Sequence, residues 1–276
     1  MRMLIYLDGV SYHHPPVLMG KLIARAAHGE IRVLIGVAPD GHQENGESIA
    51  DQVRSDLQGL SPQVDIRQGQ PGQIICEELQ RETYQLVIVN ADRITRAKRK
   101  VEVDPVLIKQ STISLLLTRN PKPKIKHILL CSACIEGDYS LINQTAGLAR
   151  DLGAAVTMLH VISGSVPSMY TGLDQIEETV EEILQTDTSF AQHLRHGVGI
   201  FREQNIEAEV KIRWGIPIEE IVRETQLVDY DLVVIGSSRF NQGLLEMLLG
   251  NMMNKIIDQI ELPVLIVGSR DLTESP

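Results

Sequence analysis

The sequence predicts an α/β protein of two tandem domains, each a parallel sheet of five strands with helices on both faces. Three observations carry this. Short apolar runs alternate with amphipathic stretches of helical length along all 276 residues. The apolar runs are continuous rather than alternating, as expected of parallel strands covered on both faces. Two local patterns also recur at one common offset. Gly69-Gln70-Pro71 returns as Gly215-Ile216-Pro217, and the stretch from Tyr84 to Val89 returns from Tyr230 to Ile235. Both lie 146 residues on (215 − 69 and 230 − 84). Equal offsets at two separate places argue for duplication.

Taken in order, the first domain (1–120) reads as strand 3–7, helix 15–28, strand 31–37, helix 46–58, strand 64–68 and helix 71–83. Strand 85–90, a helix at 104–111 and strand 113–118 complete it. Proline in the first turn at Pro71 suits a helix start, where its missing N–H has no partner to lose. Residues 121–124, Pro-Lys-Pro-Lys, form a stiff charged linker. The second domain (125–270) repeats the order: strand 125–133, helix 139–153, strand 155–162, a long helical region 172–204 and strand 207–213. Helix 217–228, strand 231–236, helix 251–260 and strand 263–268 follow, and 271–276 is a tail.

Composition bounds the function. Hydrophobic residues make up 43% of the chain but aromatics only 4%, so the cores must be aliphatic. A net charge of −10 argues against general binding to nucleic acid or to anionic membranes. No apolar stretch approaches the roughly 18 residues of a membrane span. The N-terminal Met-Arg-Met-Leu-Ile-Tyr-Leu-Asp-Gly reads as a first strand rather than a signal peptide. Three cysteines make no disulfide framework, and the expected compartment is the cytoplasm.

The second half carries a longer pattern. Asp231-Leu-Val-Val-Ile-Gly236 is followed by Ser-Ser-Arg239, then by Gly243, Gly250 and Asn251, and later by Pro263-Val-Leu-Ile-Val267. This resembles the universal stress protein family, whose signature is Gly, two residues, Gly, nine residues, Gly, then Ser or Thr, ahead of a Pro-Val strand. The resemblance implies Rossmann-like α/β/α domains whose last strands pair across the junction, giving a pseudo-dimer within one chain. It also implies an adenine nucleotide, ATP or AMP, bound weakly, with magnesium only as the nucleotide's companion. Asp8 would contact the adenosine end, with Ala133 at the matching place in the second half. Val37 and Val161 would stand near the adenine. Gly236 and Gly250 would approach the phosphates, with Arg239 and Asn251 beside them. The sequence departs from the signature there. Arg239 replaces a glycine, an extra residue precedes Gly250, Asn251 replaces the hydroxyl, and Met253 replaces a small polar residue. The first half keeps Asp8 but holds Arg93–Lys100, with five cations in eight residues, in place of the glycine loop. Each half retains a different fragment of a nucleotide site.

Other features read more plainly. Cys131-Ser-Ala-Cys134 lacks the second cysteine pair of a zinc site and the helix N-terminus of a redox pair, so both thiols are structural. His193 and His196 share a helix face without a carboxylate pattern and are expected at the surface. His13-His14 fills a loop, and Glu177, Glu178, Glu181 and Glu182 form a solvated helix face. No nucleophile elbow, P-loop lysine or metal-protease motif occurs, so no catalytic or metal-ligating residue is assigned. Two readings of function stay open beside a less favoured nucleotide hydrolase. One is a non-enzymatic stress or regulatory protein that binds an adenine nucleotide. The other is an interaction module of the same fold that has lost it. A homo-oligomer joined through sheet edges is expected in either case.

Overall fold

In the computed structural model the described residues are 1–9, 15–37, 43–91, 113–134, 138–163, 180–236 and 259–268. The chain divides into two compact units, one of Met1–Lys124 with Glu261–Pro276 and one of Ile125–Ile260.

The first unit begins with β1 (Arg2–Asp8), α1 (Pro15–Ala27), β2 (Glu30–Val37), α2 (Gln43–Asp56) and β3 (Gln63–Gln68). It continues with α3 (Pro71–Arg81), β4 (Leu86–Asn90) and β5 (Ser114–Thr118). The strands lie in the order β3-β2-β1-β4-β5, all parallel. Met3 to Leu7 of β1 and Leu86 to Val89 of β4 are buried without a break. This is the burial that continuous apolar runs predict for central parallel strands. The edge strand β3 is only partly covered. Helix α1 packs over β1, β4 and β5, and α2 over β2 and β3. The order reverses between β1 and β4, a switch point of the kind at whose C-terminal strand ends α/β folds place ligands.

The second unit repeats the plan. It holds β6 (His127–Ser132), α4 (Asp138–Leu152), β7 (Ala155–Ile162), α5 (Val180–Gln185) and α6 (Ser189–Glu203). Then come β8 (Ala208–Trp214), α7 (Pro217–Leu227) and β9 (Leu232–Gly236). The strands run parallel in the order β8-β7-β6-β9, so the switch falls between β6 and β9. The turn before α3 and the turn before α7 are near copies. Gly69 has φ +147° and Gly215 φ +149°, a conformation that favours glycine, and each precedes an extended residue and then a proline.

Two elements differ from their expected form. The helical region expected over 172–204 is broken: α5 and α6 are separated by Thr186–Thr188, and 172–179 lie outside the described residues. Arg195 of α6 reaches back to donate to the carbonyls of Leu184 and Thr186, which ties the break down. The strand expected to end the second domain is β10 (Val264–Val267), and it falls in the first unit. It runs antiparallel to β5, with Val264 opposite Leu117 and Ile266 opposite Leu115. The expected pairing of strands 113–118 and 263–267 is thus present. The helix at 104–111 and most of that at 251–260 lie outside the described residues. Among the described residues no helix is long and apolar enough to cross a membrane.

Candidate functional site

The strand ends at the two switch points are the places to test. In the first unit, Asp8 closes β1 opposite Gly36 of β2. The N–H of Gly9 donates to the Gly36 carbonyl at 2.7 Å, and the N–H of Gly69 to the Val37 carbonyl at 3.2 Å. Gly36 is needed for close approach: a Cβ there would stand 2.1 Å from the Tyr6 hydroxyl. Tyr6 is buried. Burial first, and the Asp8 charge second, hold its hydroxyl well above the ordinary tyrosine range. The Val37 side chain is buried, so a ligand would meet its backbone rather than its methyl groups.

The second unit is built differently at the same place. Ser132 pairs with His160, so the next residue, Ala133, stands to Val161 as Asp8 stands to Gly36. The N–H of Gly215 donates to the Ile162 carbonyl at 3.1 Å, the bond that Gly69 makes to Val37. Ile162, rather than Val161, is therefore the counterpart of Val37. Val161 stands one residue before that counterpart, because hydrogen-bond register, not the end of the apolar run, sets the equivalence.

A carboxylate is present at this strand end after all, but it comes from the next helix. Asp138, in the first turn of α4, is buried, and its Oδ2 accepts from the Ala133 N–H at 2.7 Å and from Ser132 Oγ at 2.9 Å. Ser132 Oγ in turn accepts from the Cys134 N–H at 3.1 Å, and Cys134 takes φ +56°. The strand-end N–H groups are thus committed to the protein's own side chains. Asp138→Ala leaves the Ala133 N–H and the Ser132 hydroxyl without that acceptor. It is expected to destabilise by about 1–2 kcal/mol, read as a lower denaturant midpoint.

Several nearby residues are also placed. His193 is buried, at 4% exposure, and is not the surface residue expected. Its ring packs on Tyr139 with centroids 4.8 Å apart, because α6 presents that side to α4. Burial lowers its pKa, the Asp138 charge opposes this, and His196 and His160 add to the lowering. His196 is exposed and edges Tyr139 at 5.0 Å. Cys131 and Cys134 are free thiols, and burial pushes both up to about 12, far from a reactive thiolate. Among the described residues, no three or more His, Cys, Asp or Glu side chains are grouped to hold a metal. Gly236 ends β9, which pairs with β6 at this switch point. Arg239, Gly250, Asn251, Met253, His13, His14, Glu177, Glu178 and the basic run 93–100 lie outside the described residues.

One duplicated constellation lies outside the candidate site residues that the sequence singles out. Glu78 accepts from Tyr84 OH at 2.5 Å and from Arg67 Nη2 at 2.6 Å, with Arg32 Nε 3.0 Å away. Glu224 accepts from Tyr230 OH at 2.8 Å, from Lys211 Nζ at 3.0 Å and from Arg213 Nε at 2.8 Å. Arg67, Glu78 and Tyr84 recur as Arg213, Glu224 and Tyr230 at the offset already found, which was the available signal. The cluster binds an edge strand, the following helix and the entry to the next strand. Its chemistry is structural.

A family model described as Universal stress protein family matches residues 124–268. No curated protein matches the chain significantly. Among solved structures, a functionally unknown protein from Pseudomonas aeruginosa PAO1 matches at TM-score 0.67 and 19% identity, covering 96% of this chain and 92% of that one. A universal stress protein from Archaeoglobus fulgidus DSM 4304 matches at TM-score 0.62 and 14% identity, covering 97% of each. The cytoplasmic domain of a prokaryotic cation chloride cotransporter matches at TM-score 0.55 and 13% identity, covering 97% of this chain and 95% of that one. At these identities the structures speak for the fold. The family model, which spans more than half of the 276 residues, places the chain in the Universal stress protein family.

Proposed function

We propose that this protein is a non-catalytic regulatory member of its family, working in the cytoplasm, that binds an adenine nucleotide weakly through its first half. The observation that carries this reading is the contrast between the two switch points. In the first, Asp8 stands at the end of β1 beside a backbone narrowed by Gly36. In the second, the matching place is Ala133, and the buried Asp138 occupies the strand-end donors. A carboxylate at a strand's C-terminal end suits the hydroxyls and amine of adenosine. The chain then runs from β4 into the cationic Arg93–Lys100, a sequence suited in charge to phosphate.

The test is calorimetric titration of ATP, ADP and AMP, with magnesium and at low salt, into the whole chain. Saturable heat that falls at least about tenfold in affinity in Asp8→Ala, a loss near 1.4 kcal/mol, is the expected result. Binding that survives Asp8→Ala but disappears in Gly250→Asp would move the site to the second half. No heat at millimolar nucleotide would leave the interaction-module reading.

A further inference from the structure

Among the described residues, four large apolar side chains are exposed: Met1, Trp214, Ile216 and Leu227. Three of them belong to one strand-helix unit. Trp214 ends β8 at 40% exposure, Ile216 precedes α7 at 56%, and Leu227 ends α7 at 62%. Single exposed apolar residues are ordinary, but three on one element call for a reason.

The duplicate supplies an internal control. At the matching positions of β3 and α3 stand Gln68, Gln70 and Arg81. Both units have the same glycine turn, the same proline start and an 11-residue helix. The fold therefore builds this unit equally well with polar side chains, and folding does not account for Trp214, Ile216 and Leu227.

Their arrangement points to what covers them. Ile216, Glu220, Arg223 and Leu227 are spaced by four, three and four residues, one stripe along the helix. Arg223, 64% exposed, lies with its Nη1 3.8 Å from Oε1 of Glu220, which is 16% exposed and also 3.8 Å from Arg213, and Glu219 is exposed beside them. The order is apolar, acidic, basic, apolar. Set antiparallel about a two-fold axis, Ile216 of one copy meets Leu227 of the other, and the glutamates of one meet Arg223 of the other. This is the reciprocal pattern of an isologous contact.

We propose that the face of α7, extended by Trp214, is a self-association surface whose occupant is a second copy of this chain. The helix is only about 16 Å long, so the contact is small and the dimer concentration-dependent rather than permanent. The proposal is independent of nucleotide binding.

Sedimentation velocity of the whole chain over a wide concentration range tests it, with the emission of Trp214, the sole tryptophan, read in parallel. The expected result is a monomer–dimer equilibrium in which Trp214 emission shifts to the blue as dimer forms. Ile216→Gln with Leu227→Arg, the residues of the first half, should raise the half-dimerisation concentration at least about tenfold, with unchanged far-UV circular dichroism. Arg223→Glu should lose self-association, as should Glu219→Arg/Glu220→Arg, and mixing the two variants should restore a dimer. A chain that stays monomeric with constant emission would overturn the proposal. So would a dimer indifferent to both sets of substitutions, or a face that takes only a different protein.

Discussion

Glu224→Ala is expected to lower the unfolding free energy by about 2–4 kcal/mol, read from urea unfolding at neutral pH. Glu224 is fully buried, and it holds the Tyr230 hydroxyl, Lys211 and Arg213 together. Removing it leaves a buried hydroxyl without that acceptor and takes the buried counter-charge from two cations, of which Lys211 keeps only Glu209 at 3.4 Å and Arg213 only Glu220 at 3.8 Å. Lys211 and Arg213 keep 30% and 24% of their side chains exposed, so water offsets part of the loss and the figure stays below that of a fully enclosed pair. The same cluster sets the response to acid. Burial alone would raise both Glu78 and Glu224. Hydrogen bonds from Tyr84 and Arg67, with the Arg32 charge, bring the first below the ordinary carboxyl value of 4.5. Those from Lys211, Arg213 and Tyr230 do the same for the second. A carboxyl lowered in the folded state contributes stability that is present above its unfolded pKa and lost as pH falls through the folded value. Stability should therefore fall below about pH 4.5. Glu224→Gln should give a shallower acid limb, starting from a lower plateau at neutral pH.

Gly36→Ala is expected to cost about 2–3 kcal/mol, large for one methyl group. The new Cβ would stand 2.1 Å from the Tyr6 hydroxyl and 2.8 Å from the ring carbon that bears it. Tyr6 is buried on the same face of β1 as fully buried Leu4, so the ring has little room to swing. Most of the clash is with the hydroxyl, which makes a double-mutant cycle informative. Tyr6→Phe should recover part of the loss in the Gly36→Ala background, and the coupling should exceed about 1 kcal/mol. Because Gly36 pairs with Asp8, the same substitution should also weaken the nucleotide binding proposed for Asp8.

Residue order alone made much of this protein legible. Continuous runs such as Met3–Leu7 and Leu86–Val89 announced parallel strands because burial on both faces removes the alternation of a half-exposed sheet. The paired Gly-x-Pro turns announced the duplication because a positive φ ahead of a proline narrows the choice of residue. Asp8 could be placed at a strand end because strand boundaries follow from local composition. The rest needed three-dimensional packing. The pairing of β5 with β10 came from the family resemblance, but its antiparallel sense and its place in the first unit depend on which edge is available, which no local pattern encodes. That Ile162 answers to Val37 depends on hydrogen-bond register, visible only when strands lie side by side. That Asp138 reaches back to Ala133 depends on the path of a loop, and that His193 is buried depends on how α6 meets α4. Local periodicity records which face of an element is apolar. It does not record which distant side chain will arrive to satisfy a buried donor, because that choice belongs to contacts made only after the elements have packed.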